Sequence, residues 1–193
     1  LIRKSWTVTL VFAFLLASCA GPVRRGDREM AYEDRLRLAS IYIQSERLAR
    51  AIPLLEDAAA QDPGRPEAHS MLGEVLFLSG DLEGAARSFY LALDAGGDDP
   101  LVLNNLAWIE LQRGRAPEAF GLIERALKSD PVPRYPYLDT RARVLKALGR
   151  RGEALQDALT ARKMVPEHDT RMLGQIEDLI RELEKEAPGP RSY

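Results

Sequence analysis

Few side chains in this sequence are equipped for chemistry. Cys19, the only cysteine, sits in the stretch LLASCAGP (15–22), directly after an apolar run. A thiol is a nucleophile as its thiolate, so a lone cysteine in such a place raises the question of a covalent attachment. With no second cysteine in the chain it cannot form an intramolecular disulfide. The two histidines, His69 and His168, leave little material for a zinc site. The carboxylate pair Asp98-Asp99 has no neighbouring base to work with. No P-loop, GxSxG, HExxH or CxxC pattern is present. Neither catalytic residues nor metal ligands nor a cofactor are therefore expected, and an enzyme is not the expected reading.

The segment that must position Cys19 is a separate object from the rest. Arg3 and Lys4 make a basic start, and VTLVFAFLLA (8–17) follows as an apolar core. That core is about ten residues long, half of the roughly twenty needed to span a bilayer. A basic start, a short apolar core and small residues after it describe an export signal. Leu16-Ala17-Ser18-Cys19 resembles the lipobox of bacterial lipoprotein precursors. That resemblance implies a signal peptide over 1–18, cleavage before Cys19, and acylation of its thiol and new amino group. Two or three acyl chains would anchor the protein firmly where one holds only marginally. Ala20, in place of an aspartate, implies sorting to the outer membrane, facing the periplasm. Cleavage after Ala20, which would discard the cysteine, and an uncleaved anchor are the competing readings.

Residues 19–30 read as the lipidated N-terminus and a polar tether, with Gly21 and Pro22 at its start. Removing 1–18 leaves 25 Lys and Arg against 29 Asp and Glu, a net charge of −4. That balance argues against a nucleic-acid partner.

The remainder repeats. Ala51, Ala85, Ala119 and Ala154 recur at steps of 34, 34 and 35 residues, and Ala58, Ala92, Ala126 and Ala161 recur in the same register. Before each such segment lies another with apolar residues at helical spacing, such as Leu103, Leu106 and Ala107. Gly80, Gly114 and Gly149 follow three of these first segments, where a helix stop commonly takes a left-handed residue. Asp-Pro pairs at 62–63 and 130–131 mark breaks between units. Each unit thus predicts helix, tight turn, helix, loop. Alanine and glycine are expected where the paired helices cross, with Phe89 and Ile123 filling the space between units.

This period and pattern resemble the tetratricopeptide repeat (TPR) family. The resemblance implies an all-α solenoid of about four helix-turn-helix repeats over 31–166. A capping helix over 167–187 and a disordered tail over 188–193 would complete it. The cap carries Met172, Ile176, Leu179, Ile180 and Leu183 on one stripe, and Glu177, Asp178, Arg181, Glu184 and Lys185 on its outer face. Two departures stand out: Ser45-Glu46 replaces the turn glycine of the first unit, and Arg141 replaces a usual core leucine in the fourth. The extra residue of the 35-residue step is expected within YPYLDT (135–140).

In this family the first helix of each repeat lines a concave binding face. The positions carried over are Glu33, Arg37, Ser40 and Gln44 in the first unit, then Ser70, Glu74 and Phe77 in the second. The third offers Asn104, Asn105, Trp108 and Gln112, and the fourth Asp139, Arg143 and Lys146. The same residues also fit ordinary repeat packing, and both readings stay open on sequence. The Lys/Asn/Arg clamp that some eukaryotic members use on chaperone tails is absent, its places being held by residues such as Leu36, Ser40, Met71 and Leu101. The resemblances together imply a lipid-anchored, protein-binding adaptor or scaffold of the bacterial cell envelope. It would support assembly of a pilus, secretion or cell-wall complex, with other envelope proteins or peptides as partners. An accessory guiding a polysaccharide or peptidoglycan substrate, and a soluble scaffold, are the alternatives.

Overall fold

The computed structural model describes residues 30–130 and 134–185; Cys19, the signal and tether, and the tail after 185 lie outside them. Among the described residues there are nine α-helices and no strand. They pair as α1 (Tyr32–Gln44) with α2 (Leu48–Gln61), α3 (Pro66–Ser79) with α4 (Leu82–Asp94), α5 (Pro100–Gln112) with α6 (Ala116–Ser129), and α7 (Tyr135–Ala147) with α8 (Arg151–Met164). The final helix, α9 (Thr170–Lys185), packs on α7 and α8. All belong to one compact unit beginning at Tyr32. The fold is an all-α solenoid of four helix pairs with a closing helix.

Local chemistry explains where the helices begin and end. Pro66 and Pro100 open α3 and α5, at the position where a missing N–H costs nothing. Asp81 caps α4 by accepting from the Gly84 N–H at 2.9 Å, and Asp99 caps α5 by accepting from the Leu101 N–H at 2.8 Å. Its neighbour Asp98 pairs with Arg125, so both carboxylates of that loop have structural partners. Gly80, Gly114 and Gly149 end their helices with φ of 88°, 76° and 73°. Glu46 holds the same left-handed position in the first unit, with φ 58°. A side chain there is strained where glycine is not. Glu46→Gly is therefore expected to stabilise the domain by about 0.5–1 kcal/mol, after subtracting the extra unfolded-state freedom of glycine. Thermal unfolding followed by circular dichroism checks this, as a Tm raised by roughly 1–4 °C.

Packing follows the small residues. Ala51, Ala85, Ala119 and Ala154 are fully buried, as are Ala58, Ala92, Ala126 and Ala161. These alanines let paired helices approach closely. Gly73 serves the same purpose more tightly. A Cβ built on it would lie 2.5 Å from the Phe89 ring, so the ring occupies the space a side chain would need. Phe89 thus packs against the partner helix of its own unit and also joins Val102, Leu103 and Leu106 of the next in one core.

The fourth unit corrects the expectation about YPYLDT. The helices α7 and α8 start 35 residues after α5 and α6, so 135–140 keeps the frame of 100–105. The extra residue falls before Tyr135. Arg141 is accommodated by ion pairing rather than by displacing its helix. Its Nε and Nη2 donate to the two carboxylate oxygens of Asp157 at 2.6 and 2.8 Å, and its Nη1 donates to Glu124 at 2.9 Å. One guanidinium therefore ties α6, α7 and α8, and the hydrogen bonds to Asp157 chiefly raise its pKa. A second network stands on the middle unit. Glu110 is buried and accepts from Arg113, from Arg115 and from the Tyr90 hydroxyl.

The closing helix buries Ile176, Leu179, Ile180 and Leu183 and exposes Glu177, Asp178, Arg181, Glu184 and Lys185. An amphipathic last helix of this kind covers the apolar face that a further repeat would otherwise cover.

Candidate functional site: a groove along the first helices

The helices α3, α5, α7 and α9 contact one another in sequence and form one layer, with the second helices of the pairs behind them. A cavity of about 570 Å³ opens along this layer. Phe77 lines it from α3; Asn104, Asn105, Trp108 and Gln112 from α5; Pro136, Asp139, Thr140 and Arg143 from α7. The cap supplies a further wall of Arg171, Met172, Gln175 and Asp178. The spacing explains why these side chains share a face: 104, 105, 108 and 112 lie on one side of a helix.

The cavity combines an aromatic floor with acceptors that lack donors. Trp108 is half-buried and meets Phe77 edge-to-face, with ring centroids 5.4 Å apart and planes at 81°. Asn104 is only 8% exposed, and its Oδ1 has no hydrogen-bond partner. Asp139 accepts from Arg143 Nε at 2.9 Å through one oxygen, while its other oxygen, Oδ1, is buried without a partner. Buried acceptors are almost always satisfied, so an unmet oxygen on each of two lining residues is a local cost in stability.

Asn104 offers a direct check of that inference. A buried acceptor without a donor costs about 1–3 kcal/mol relative to an apolar group of similar shape. Asn104→Leu is expected to raise Tm by roughly 2–12 °C. A fall in Tm on thermal unfolding would mean that the amide is satisfied in solution.

Of the positions carried over from sequence, Phe77, Asn104, Asn105, Trp108, Asp139 and Arg143 are brought together in this cavity, with Gln112 at its edge. Arg37 and Glu74 are not part of its lining. Arg37 is exposed on α1 and pairs with Asp34 at 3.2 Å, a surface contact of little energetic weight. Glu74 is exposed on α3, one repeat of 34 residues before Trp108. His69 is buried, its Nε2 lying 3.2 Å from the Pro63 carbonyl, as a packing residue. The contribution of α9 is the one sequence reasoning missed. The signal was available: Arg171, Gln175 and Asp178 follow Pro136, Thr140 and Arg143 by the same 35-residue step that relates α7 to α5. Among the described residues no group of three or more His, Cys, Asp or Glu side chains is placed to hold a metal ion. No described helix is long and apolar enough to cross a membrane.

The tetratricopeptide repeat model matches residues 36–100 and 92–133, spanning half of the chain. The chain belongs to the tetratricopeptide repeat family. Among solved structures it is similar to YrrB, described as a TPR protein with an unusual peptide-binding site. That match has 16% identity over 81% of this chain and 88% of that one, with a TM-score of 0.64. PilW, described as a widely conserved type IV pilus biogenesis factor, matches at 19% identity over 81% and 79% of the two chains, TM-score 0.62. MamA matches at 16% identity over 83% and 79%, TM-score 0.59. At these identities the likeness is one of fold. No curated protein matches the sequence significantly. As a TPR protein the chain is of a protein- or peptide-interaction scaffold type.

Proposed function

We propose that this TPR protein is a lipid-anchored adaptor of the bacterial cell envelope with no catalytic role of its own. Its groove holds an extended segment of a partner protein while Cys19 carries the lipid. The observation that carries the binding half is the cavity itself, in which a half-exposed Trp108, braced by Phe77, stands beside the two unpartnered acceptors. Aromatic anchors surrounded by polar groups are how interfaces concentrate binding energy. The anchoring half rests on Leu16-Ala17-Ser18-Cys19 after its apolar core, and the outer-membrane assignment rests on Ala20. The pilus-biogenesis description of PilW favours assembly of an envelope machine, and the peptide-binding site of YrrB favours a peptide segment as the ligand.

The anchoring half is tested by metabolic labelling with an alkyne-bearing palmitate analogue and by membrane fractionation. Wild type is expected to take up label and sediment with outer membrane, and Cys19→Ser to lose both. An unlabelled wild-type chain would contradict the anchor.

A further inference from the structure

The first helix leaves uncovered a face that every later first helix of a pair buries. Ile41 is 59% exposed, whereas Val75, Ile109 and Val144, which follow it at steps of 34, 34 and 35 residues, are 0% exposed. Val75 shares a core with Leu55 of α2, and Ile109 shares one with Phe89 of α4, so this position packs against the second helix of the preceding unit. Among the described residues no unit precedes α1. We propose that a second copy of this chain covers the face, with the two α1 helices packed antiparallel about a two-fold axis.

Spacing and charge select this occupant and this direction. Asp34, Leu38, Ile41 and Ser45 follow one another at four, three and four residues, which is the seam of a paired helix. Ser45 lies just past the helix end, but its N–H donates to the Ile41 carbonyl at 3.1 Å and keeps the register. In an antiparallel pair, Leu38 of each copy meets Ile41 of the other, giving two apolar layers at the axis. Asp34 then meets the Ser45 hydroxyl of the other copy at either end, an apolar centre with a polar rim. A parallel pair would set the two Asp34 carboxylates against each other. The far end of the stack excludes head-to-tail association. There α9 turns Glu177, Asp178, Arg181, Glu184 and Lys185 outward, and Ile41 would be buried against charge. The chain's own preceding residues do not match the face either. Residues 20–29 hold one large apolar residue, Val23, and three arginines, and the apolar run 8–17 is removed with the signal in the function proposed above. A helix of 13 residues is about 20 Å long, so the interface is smaller than the roughly 800 Å² per partner of a stable complex. Pairing therefore depends on a high local density of copies, which anchoring to one membrane supplies.

The experiment is oxidative crosslinking of the full chain in intact cells, using the double variant Asp34→Cys/Ser45→Cys. These positions lie eleven residues and about 16 Å apart in one chain, too far for an internal disulfide, so a link between them joins two copies. Wild type, whose only thiol is Cys19, sets the background. The double variant is expected to give a disulfide-linked dimer well above either single variant. Adding Ile41→Glu, which puts an unpaired carboxylate into the apolar layers, should lower the product by about tenfold. Circular dichroism confirms that the variants are folded. Absence of the double-variant product, its persistence with Ile41→Glu, or equal product from the single variants would overturn the interface. Palmitate labelling of the same cells reports separately on the anchor: an unlabelled chain that still gives the product would overturn the anchor and leave the interface standing.

Discussion

Arg141→Leu is expected to destabilise the domain by about 3 kcal/mol, although leucine is the residue that TPR helices usually carry there. The reason lies in what the substitution leaves behind. Asp157 is 7% exposed and receives both parallel hydrogen bonds from the guanidinium. Removing the arginine strands that carboxylate beneath the surface, and an uncompensated buried charge costs more than the pair contributes. Arg141 itself keeps 27% of its side chain exposed, which places the effect at the lower end for broken buried pairs. Glu124, at 32% exposure, can turn to water and adds little. The double variant Arg141→Leu/Asp157→Leu is expected to recover most of the loss, because an apolar pair of similar volume removes both charges together. Urea unfolding of the four proteins of this cycle measures the coupling directly. A single variant within about 0.5 kcal/mol of wild type would mean that the three-helix tie contributes nothing.

Trp108→Ala is expected to weaken partner binding by about thirtyfold, equivalent to roughly 2 kcal/mol, while the helical signal is retained. The ring is braced by Phe77 yet faces the cavity, so its truncation removes a contact surface and leaves the neighbouring core in place. The fully buried Ala107 and Leu106, on the same helix but turned to the core, hold α5 in position. Titration of the isolated partner peptide into wild type and Trp108→Ala, followed by calorimetry, checks the ratio. Loss of helicity in parallel with loss of binding would reassign Trp108 to the core.

Much of the architecture was legible because it is written in small residues at a fixed period. The eight alanines at steps of 34 and 35 residues mark helix crossings, and a crossing admits little else. The glycines at 80, 114 and 149 announce left-handed helix ends, and Glu46 could be placed at the same position before its φ was known. Other features depend on long-range partners that local patterns do not reveal. Arg141 looked like a defect in a core stripe because Asp157 and Glu124, on two other helices, become its partners only once the stack forms. The closing helix is legible locally as an amphipathic cap; its part in the groove wall is legible only through the 35-residue step, by which Arg171, Gln175 and Asp178 continue the lining stripe of α7. Asn104 was legible as a polar residue on a recognition helix. That its oxygen is buried and unmet follows only from the three-dimensional packing.

The proposed function requires partners to engage the layer of first helices and not the layer behind it. Site-specific photocrosslinking in cells tests this most directly. A photoreactive amino acid is placed at Gln112, on the edge of the groove, and in a second strain at Leu91, exposed on α4 in the opposite layer. A discrete crosslinked partner is expected from position 112, disappearing when Trp108→Ala is added, and none from position 91. A crosslink from position 91 with none from position 112 would contradict it.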